Sequence, residues 1–332
     1  MKTKSDQLLY TIGIIITLLL VYLSLRHIEL SKVMAELKDS RYGYVIPAMI
    51  IMFMGHWFRT IRWKYLLKPC KEIDSYKLFS ALMIGYLGNT VLPAHMGEIV
   101  RSYVLKKNES LSGSFILGTI VLERLIDVVS LLVIVFIAIF FSPIPGWLLN
   151  SMIVMASILI MICIVFILLR KFNVDPFHII YKLIGYISKN AAEKFKYVFQ
   201  NLLDGIIILK QIKRPDYLIG LTILIWFSYW MYLHLNFYAF DMVQDYNLKP
   251  IASLIVLLAT TFSLTIPSSP GYVGTYHYLC LISLLLFNVP EETALSYAII
   301  SHAANIGPLA IAGLFFSWKE GVQIFKGSRL TG

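Results

Sequence analysis

The sequence predicts an all-α, polytopic integral membrane protein, and three observations predict it. Of 332 residues, 58% are hydrophobic and only 14% charged, whereas an ordinary soluble domain is ~25% charged. Six apolar stretches approach the ~20 residues that cross a bilayer as helix. Two further apolar regions are broken in their middles by proline and glycine. The composition excludes a water-soluble enzyme and a disordered chain. The net charge of +10 would point to nucleic acid in a soluble protein. In a membrane protein it is weighed first against the positive-inside rule, and no nucleic-acid partner is expected.

Taken in order, residues 8–25 read as a retained anchor. The run is long for a signal-peptide core and no small-x-small cleavage site follows. Residues 42–57 form the second expected span, followed by Arg59-Thr60-Ile61-Arg62-Trp63. Arg and Trp there are ordinary interfacial anchors. Arg59 and Arg62 are also candidates for a lipid headgroup phosphate, which suits the guanidinium fork. Residues 76–105 are interrupted at Pro93-Ala94-His95-Met96-Gly97. Residues 114–141, 147–169, 217–240 and 293–316 are four more spans. Residues 251–287 are interrupted at Pro267-Ser268-Ser269-Pro270-Gly271. The segment 176–213 has apolar residues every three or four positions with lysines among them. It reads as an amphipathic helix on an anionic inner leaflet or as a packed cytoplasmic helical hairpin.

Each half of the two interrupted regions is too short to span comfortably. Proline lacks an amide and glycine frees the backbone, so each break unwinds a helix. Unwound backbone at membrane depth must be buried in protein or line a watery cavity. Both regions are therefore expected to be re-entrant hairpins; kinked, continuous helices are the alternative. With the hairpins returning to their own side, residues 1–7, 59–77, 101–113, 170–216 and 317–332 hold 23 of the 29 Lys and Arg residues. That places both termini and Cys70 in the cytoplasm. The first hairpin then enters from the cytoplasm and the second from outside. The breaks share a pattern, Leu92-Pro93-x-x-x-Gly97 against Ile266-Pro267-x-x-x-Gly271. Paired interruptions of this kind point to an inverted repeat with a midplane binding site.

Ionisable residues at membrane depth cost ~2.5–3.5 kcal/mol on insertion scales and are functional candidates by default. Glu123, Arg124 and Asp127 lie within one turn or so of the helix that starts near residue 114. They serve a polar interior or form a salt-bridge knot that fixes the fold. Glu98 falls just after the first break, where it caps a half-helix or exchanges a proton or counter-ion. Arg101 one turn on is positioned to take an anionic group. His95 and His277, beside the breaks, are candidate proton carriers or hydrogen-bonded packing elements. His56, His234 and His302 lack an i,i+4 partner, so no metal site is expected. No nucleotide-binding motif, nucleophile elbow or C-x-x-C occurs. No cofactor is expected.

Asn89…Pro93-x-x-x-Gly97-Glu98-x-x-Arg101, Glu123-Arg124-x-x-Asp127 and Pro267-x-x-Pro270-Gly271-x-x-Gly274, in this order, resemble the three motifs of the lysylphosphatidylglycerol synthetase transmembrane family. Arg62-Trp63…Leu66-Leu67 resembles another segment of it. The resemblance covers nearly the whole chain. It implies a flippase-like membrane domain that translocates aminoacylated phospholipids or polyprenyl-linked lipids. The soluble aminoacyl-transferase domain of the synthetase is not seen, so lysyl transfer is not implied. Two departures stand out: His95 where the family often has Arg, and Tyr272 and His277 where it often has Gly and Glu.

The expected function is a lipid translocase, not an enzyme, in the cell membrane. It would move an anionic or lipid-linked headgroup through a polar midplane site made by the residues named above. The chain is read as one domain over residues 1–332, with a membrane lipid as partner; a homo-oligomer is left open. The alternatives are an intramembrane transferase on a lipid-linked substrate and a secondary transporter of a small anion.

Overall fold

The computed structural model describes residues 4–26, 28–92, 96–141, 144–171, 181–182, 184, 186, 188–264 and 270–322, and among them every regular element is helical. The helices are α1 (Lys4–Leu25), α2 (Leu30–Asp39), α3 (Val45–Leu67), α4 (Ser75–Val91), α5 (Gly97–Glu109) and α6 (Gly113–Ala138). Then follow α7 (Gly146–Lys171), α8 (Lys189–Ile207), α9 (Pro215–Ala239), α10 (Pro250–Ser263), α11 (Thr275–Leu285) and α12 (Glu291–Lys319). All six stretches expected to span lie in helices. Three segments, Tyr42–Leu67, Pro215–Ala239 and Glu291–Lys319, meet length and apolarity requirements for crossing a membrane. A fourth qualifies if the pair α1 and α2, bent by 83°, counts as one span. α6 is 26 residues long but carries the three charges named above.

The local sequence explains several helix starts. Asp74 caps α4, its carboxylate accepting from the Tyr76 amide at 3.2 Å. Pro215 and Pro250 stand in the first turns of α9 and α10, where a missing amide costs nothing. Two features depart from expectation. Residues 26–41, between the first two expected spans, contain α2, a short amphipathic helix that packs on the start of α12. The second span does not stop near Trp57: α3 runs on to Leu67, and its last two turns are buried.

The chain forms two compact units, Met1–Asn108 with Lys213–Gly332, and Glu109–Ile212. In the first, α3 packs along α9, and α12 packs on α4 and α11. One end of this unit is basic. There Lys64 Nζ reaches Ser75 Oγ at 3.2 Å, and Tyr65 Oη exchanges hydrogen bonds with the Arg214 backbone at 3.1 and 3.3 Å. Glu320, at the end of α12, accepts from Ser80 Oγ at 3.2 Å and Asn108 Nδ2 at 2.9 Å, and its carbonyl accepts from Lys107 Nζ at 3.1 Å. The start of α4 and the end of α5 therefore lie at the same end, and the first interrupted region is a hairpin. The opposite end is richer in acid. Arg41 pairs with Asp241 at 3.0 Å, Lys32 with Glu292 at 3.6 Å, and Thr293 Oγ1 donates to Glu36 at 3.1 Å. Pro250, opening α10, and the short link from α11 to α12 belong to this end. The second region is thus a hairpin inserted from the other side.

α12 serves both hairpins. Its first half packs on α11. Its second half packs on α4, where a Cβ on Gly313 would stand 2.6 Å from Leu87 Cβ. Pro308 lies between these stretches, inside the helix.

In the second unit, α6 and α8 pack together through small residues. A Cβ on Gly118 would strike the Leu202 carbonyl, and one on Gly205 the Phe115 carbonyl. α8 is capped by Ser188 Oγ, which accepts from the Ala191 amide at 3.3 Å.

Candidate functional site

The first hairpin turns back on two residues that the sequence singles out. Asn89 Oδ1 accepts from the Gly97 amide at 2.9 Å. Gly97 is pressed so close to α4 that a Cβ would strike the Gly85 carbonyl. Together they lock the start of α5 against α4. Glu98 is half-buried in the first turn of α5, where a carboxylate complements the helix dipole. Arg101, one turn later, is 2% exposed. Its guanidinium lies 3.5 Å over the Trp63 ring, a cation–π stack that holds the fork in a fixed plane. Pro93 and His95 lie outside the described residues.

α3 supplies the rest of the buried charge. Arg59 and Arg62 are 7% and 0% exposed. The sequence suggested interfacial anchors at a wet rim; the structure instead buries both between helices, because α3 continues for ten residues beyond Trp57. Arg62 Nη1 donates to Thr222 Oγ1 at 3.4 Å. Arg59 Nη1 donates to the hydroxyls of Tyr86 and Tyr229 at 3.4 and 3.5 Å. His56, one turn earlier, has Nδ1 3.1 Å from each of the same hydroxyls.

The second hairpin breaks through backbone geometry. Gly271 (φ 74°), Tyr272 (φ 58°) and Gly274 (φ 87°) all occupy left-handed conformations, which glycine adopts without a Cβ penalty. Pro270 opens this turn; Pro267 lies outside the described residues. His302 of α12 donates from Nε2 to the Gly271 carbonyl at 2.9 Å. His277 Nδ1 accepts from the Gly274 amide at 3.4 Å. The two imidazoles stand 4.7 Å apart, centroid to centroid. Beneath them Tyr276 Oη donates to Ser301 Oγ at 3.1 Å, and Tyr232 Oη donates to the Ser301 carbonyl.

The two breaks meet. The position of a Cβ on Gly271 is 3.8 Å from the Thr90 carbonyl and 3.9 Å from Ile306 Cδ1. Thr90 ends α4 just before the first break. The first unit thus brings together Asn89, Gly97, Gly271 and the start of each returning half-helix. Glu123, Arg124 and Asp127 belong to the second unit. There Glu123 is fully buried at 0% exposure, Asp127 is buried, and Arg124 Nη1 reaches Asp127 Oδ2 at 3.5 Å.

A profile described as lysylphosphatidylglycerol synthase TM region matches residues 10–313. The chain belongs to this family. Two UPF0104 membrane proteins of Methanocaldococcus jannaschii are similar to it. One is 22% identical over 89% of this chain and 90% of its own length. The other is 27% identical over 72% and 96%. A glycosyltransferase, AglD of Haloferax volcanii, is 28% identical over 121 residues, 36% of this chain and 19% of that protein. No solved structure matches. The family fits an integral membrane protein with the motif residues folded inward. Among the described residues, no group of three or more His, Cys, Asp or Glu side chains is arranged to hold a metal.

Sequence reasoning missed His56, Tyr86, Tyr229 and His302 as members of this site. His56 and Arg59 are spaced i, i+3 on α3, a visible signal. The tyrosines come from α4 and α9, and no local pattern announces them.

Proposed function

We propose that this protein moves an anionic lipid headgroup between the leaflets of the cell membrane. The observation that carries the reading is the meeting of two oppositely inserted hairpins within one unit that also buries Arg59, Arg62 and Arg101. A headgroup crossing hydrocarbon needs positive charge and hydrogen-bond donors at depth, because desolvating an anion is otherwise prohibitive. The half-helices α5 and α11 begin at the breaks, and their N-termini favour negative charge. Acyl tails can stay in lipid, so a lateral groove suffices. With the basic end in the cytoplasm, the first hairpin opens inward and the second outward.

Leaflet exchange of a labelled phospholipid in proteoliposomes tests the reading. Wild-type protein is expected to accelerate exchange, and Arg101→Ala to abolish most of it at normal insertion. No acceleration by wild type across phospholipid and polyprenyl-phosphate probes would remove the reading. Chemical turnover of a lipid-linked substrate in detergent would replace it with transferase activity.

A further inference from the structure

The start of α11 is capped by an imidazole. In the reciprocal capping pattern of helix N-termini, the third residue of the helix is Glu or Gln, and its side-chain oxygen accepts from the amide of the N-cap residue. Here the N-cap is Gly274 and the third residue is His277. His277 Nδ1 takes the place of that oxygen, accepting from the Gly274 amide at 3.4 Å. The substitution matters because the acceptors differ. A Gln oxygen does not titrate, and a Glu carboxyl keeps an acceptor oxygen even when protonated. A neutral imidazole has one lone pair, and a proton removes it. Capping of Gly274 and protonation of His277 therefore exclude each other.

His302 responds in the opposite way. Its Nε2 donates to the Gly271 carbonyl at 2.9 Å, and it can do so in both charge states, because a further proton adds at Nδ1. The turn is thus held at Gly271 whatever the protonation state, while the hold at Gly274 needs neutral His277. His277 is also the more accessible ring: it is half-buried, whereas His302 is 8% exposed.

No carboxylate pairs with either ring among the described residues. α12 brings His302, its ring centroid 4.7 Å from that of His277. α11 itself brings Tyr276, 6.0 Å away, and α9 brings Tyr232 beneath them. α10 has no ionisable residue. α1 meets Gly274 through Thr17 and Val21, and the ionisable group among its described side chains, Tyr22, is 64% exposed. α4 meets the turn through Thr90. A proton on His277 therefore finds no counter-charge there, and it sits at the positive end of the α11 dipole. Donor faces donor at Gly274, and like charge faces like at the helix start. Both drive the ring away from its cap position.

We propose that His277 is an acid-labile cap: a proton on Nδ1 releases the Gly274 amide and loosens the first turn of α11, while His302 keeps hold of Gly271. The switch lies in the second hairpin, at the meeting of the breaks, and gives the translocation reading above a regulation by protons. Its consequence for lipid movement rests on that reading; the cap does not.

Hydrogen–deuterium exchange on purified full-length protein, corrected for the intrinsic pH dependence of amide exchange, reads the cap directly. In wild type the segment 272–280 is expected to exchange about fivefold faster at acid than at mildly alkaline pH, the factor that loss of one capping hydrogen bond gives. His277→Gln caps without titrating, so its corrected rate is expected to be the same at both. His302→Gln and His95→Gln are expected to keep the wild-type response. If His277→Gln does not fold, His277→Glu is measured in its place. No acid response in wild type, or an equal response in the His277 variant, overturns the switch. Leaflet exchange measured in parallel separates the two readings. An acid-sensitive cap with no leaflet exchange at either pH removes translocation and leaves the cap standing. Leaflet exchange with the same pH dependence in wild type and His277→Gln removes the regulation and leaves translocation standing.

Discussion

The two hairpins solve the same problem with different chemistry. The first is held by side chain and charge. Asn89 accepts from the Gly97 amide, Arg101 stacks on Trp63, and Glu320 joins the start of α4 to the end of α5. The second has no charged side chain in either arm. Its turn is held by left-handed backbone at Gly271, Tyr272 and Gly274 and by the imidazoles of His302 and His277. One hairpin therefore carries buried charge, and the other is neutral. Sequence pairs them through a shared Pro-x-x-x-Gly spacing, yet that spacing sets only where each helix breaks, not what the break presents.

This contrast can be broken by experiment. The largest effect is expected from Arg101→Ala, which should lower leaflet exchange at least about tenfold in protein that still inserts, with a lower melting temperature because the stack on Trp63 is lost, since loss of an ionic hydrogen bond alone is worth about that much. Normal exchange in that variant would remove charge from the first hairpin's role. Gly97→Ala comes next. Its methyl group would meet the α4 backbone, and overpacking of this kind costs about 1–3 kcal/mol; a clear fall in melting temperature is expected. Gly271→Ala forces a Cβ into the left-handed region at about 1–2 kcal/mol. It should destabilise the protein without altering which headgroups bind. A change in headgroup preference there would overturn the description of that hairpin as neutral. The smallest effect is expected from His302→Asn, where an amide donor can still reach the Gly271 carbonyl; His302→Ala should be worse by about 1 kcal/mol in melting experiments. Independently, impermeant thiol reagents applied to intact cells should miss Cys70, which is exposed at the basic end. Strong labelling would invert the orientation.

Much of this architecture is legible in the sequence because apolar length and Pro/Gly interruption are local signals. The hairpins could be read that way, and so could the placement of Arg101 one turn beyond a break. α2 was not legible: it is ten residues long, polar on one face, and helical through its packing on α12. The true end of α3 was hidden for a related reason. Arg59, Arg62 and Lys64 look like the edge of a membrane when counted by hydropathy. Only the packing of α9 and α4 around them shows that α3 continues as a buried helix. The contacts of His56 and Arg59 with Tyr86 and Tyr229 were out of reach, since residues 56, 86 and 229 are joined by tertiary packing alone.

Pro308 gives α12 a mechanical character. A proline within a helix leaves the carbonyl four residues earlier, at Ala304, without its amide partner. On one side of that point α12 grips the second hairpin through His302. On the other it grips the first through Gly313 and Glu320. A single weakened turn therefore separates the two grips. An uninterrupted rod would transmit any tilt of one hairpin directly to the other. With one backbone hydrogen bond missing between the two grips, α12 is expected to bend more easily at Pro308 than elsewhere along its length.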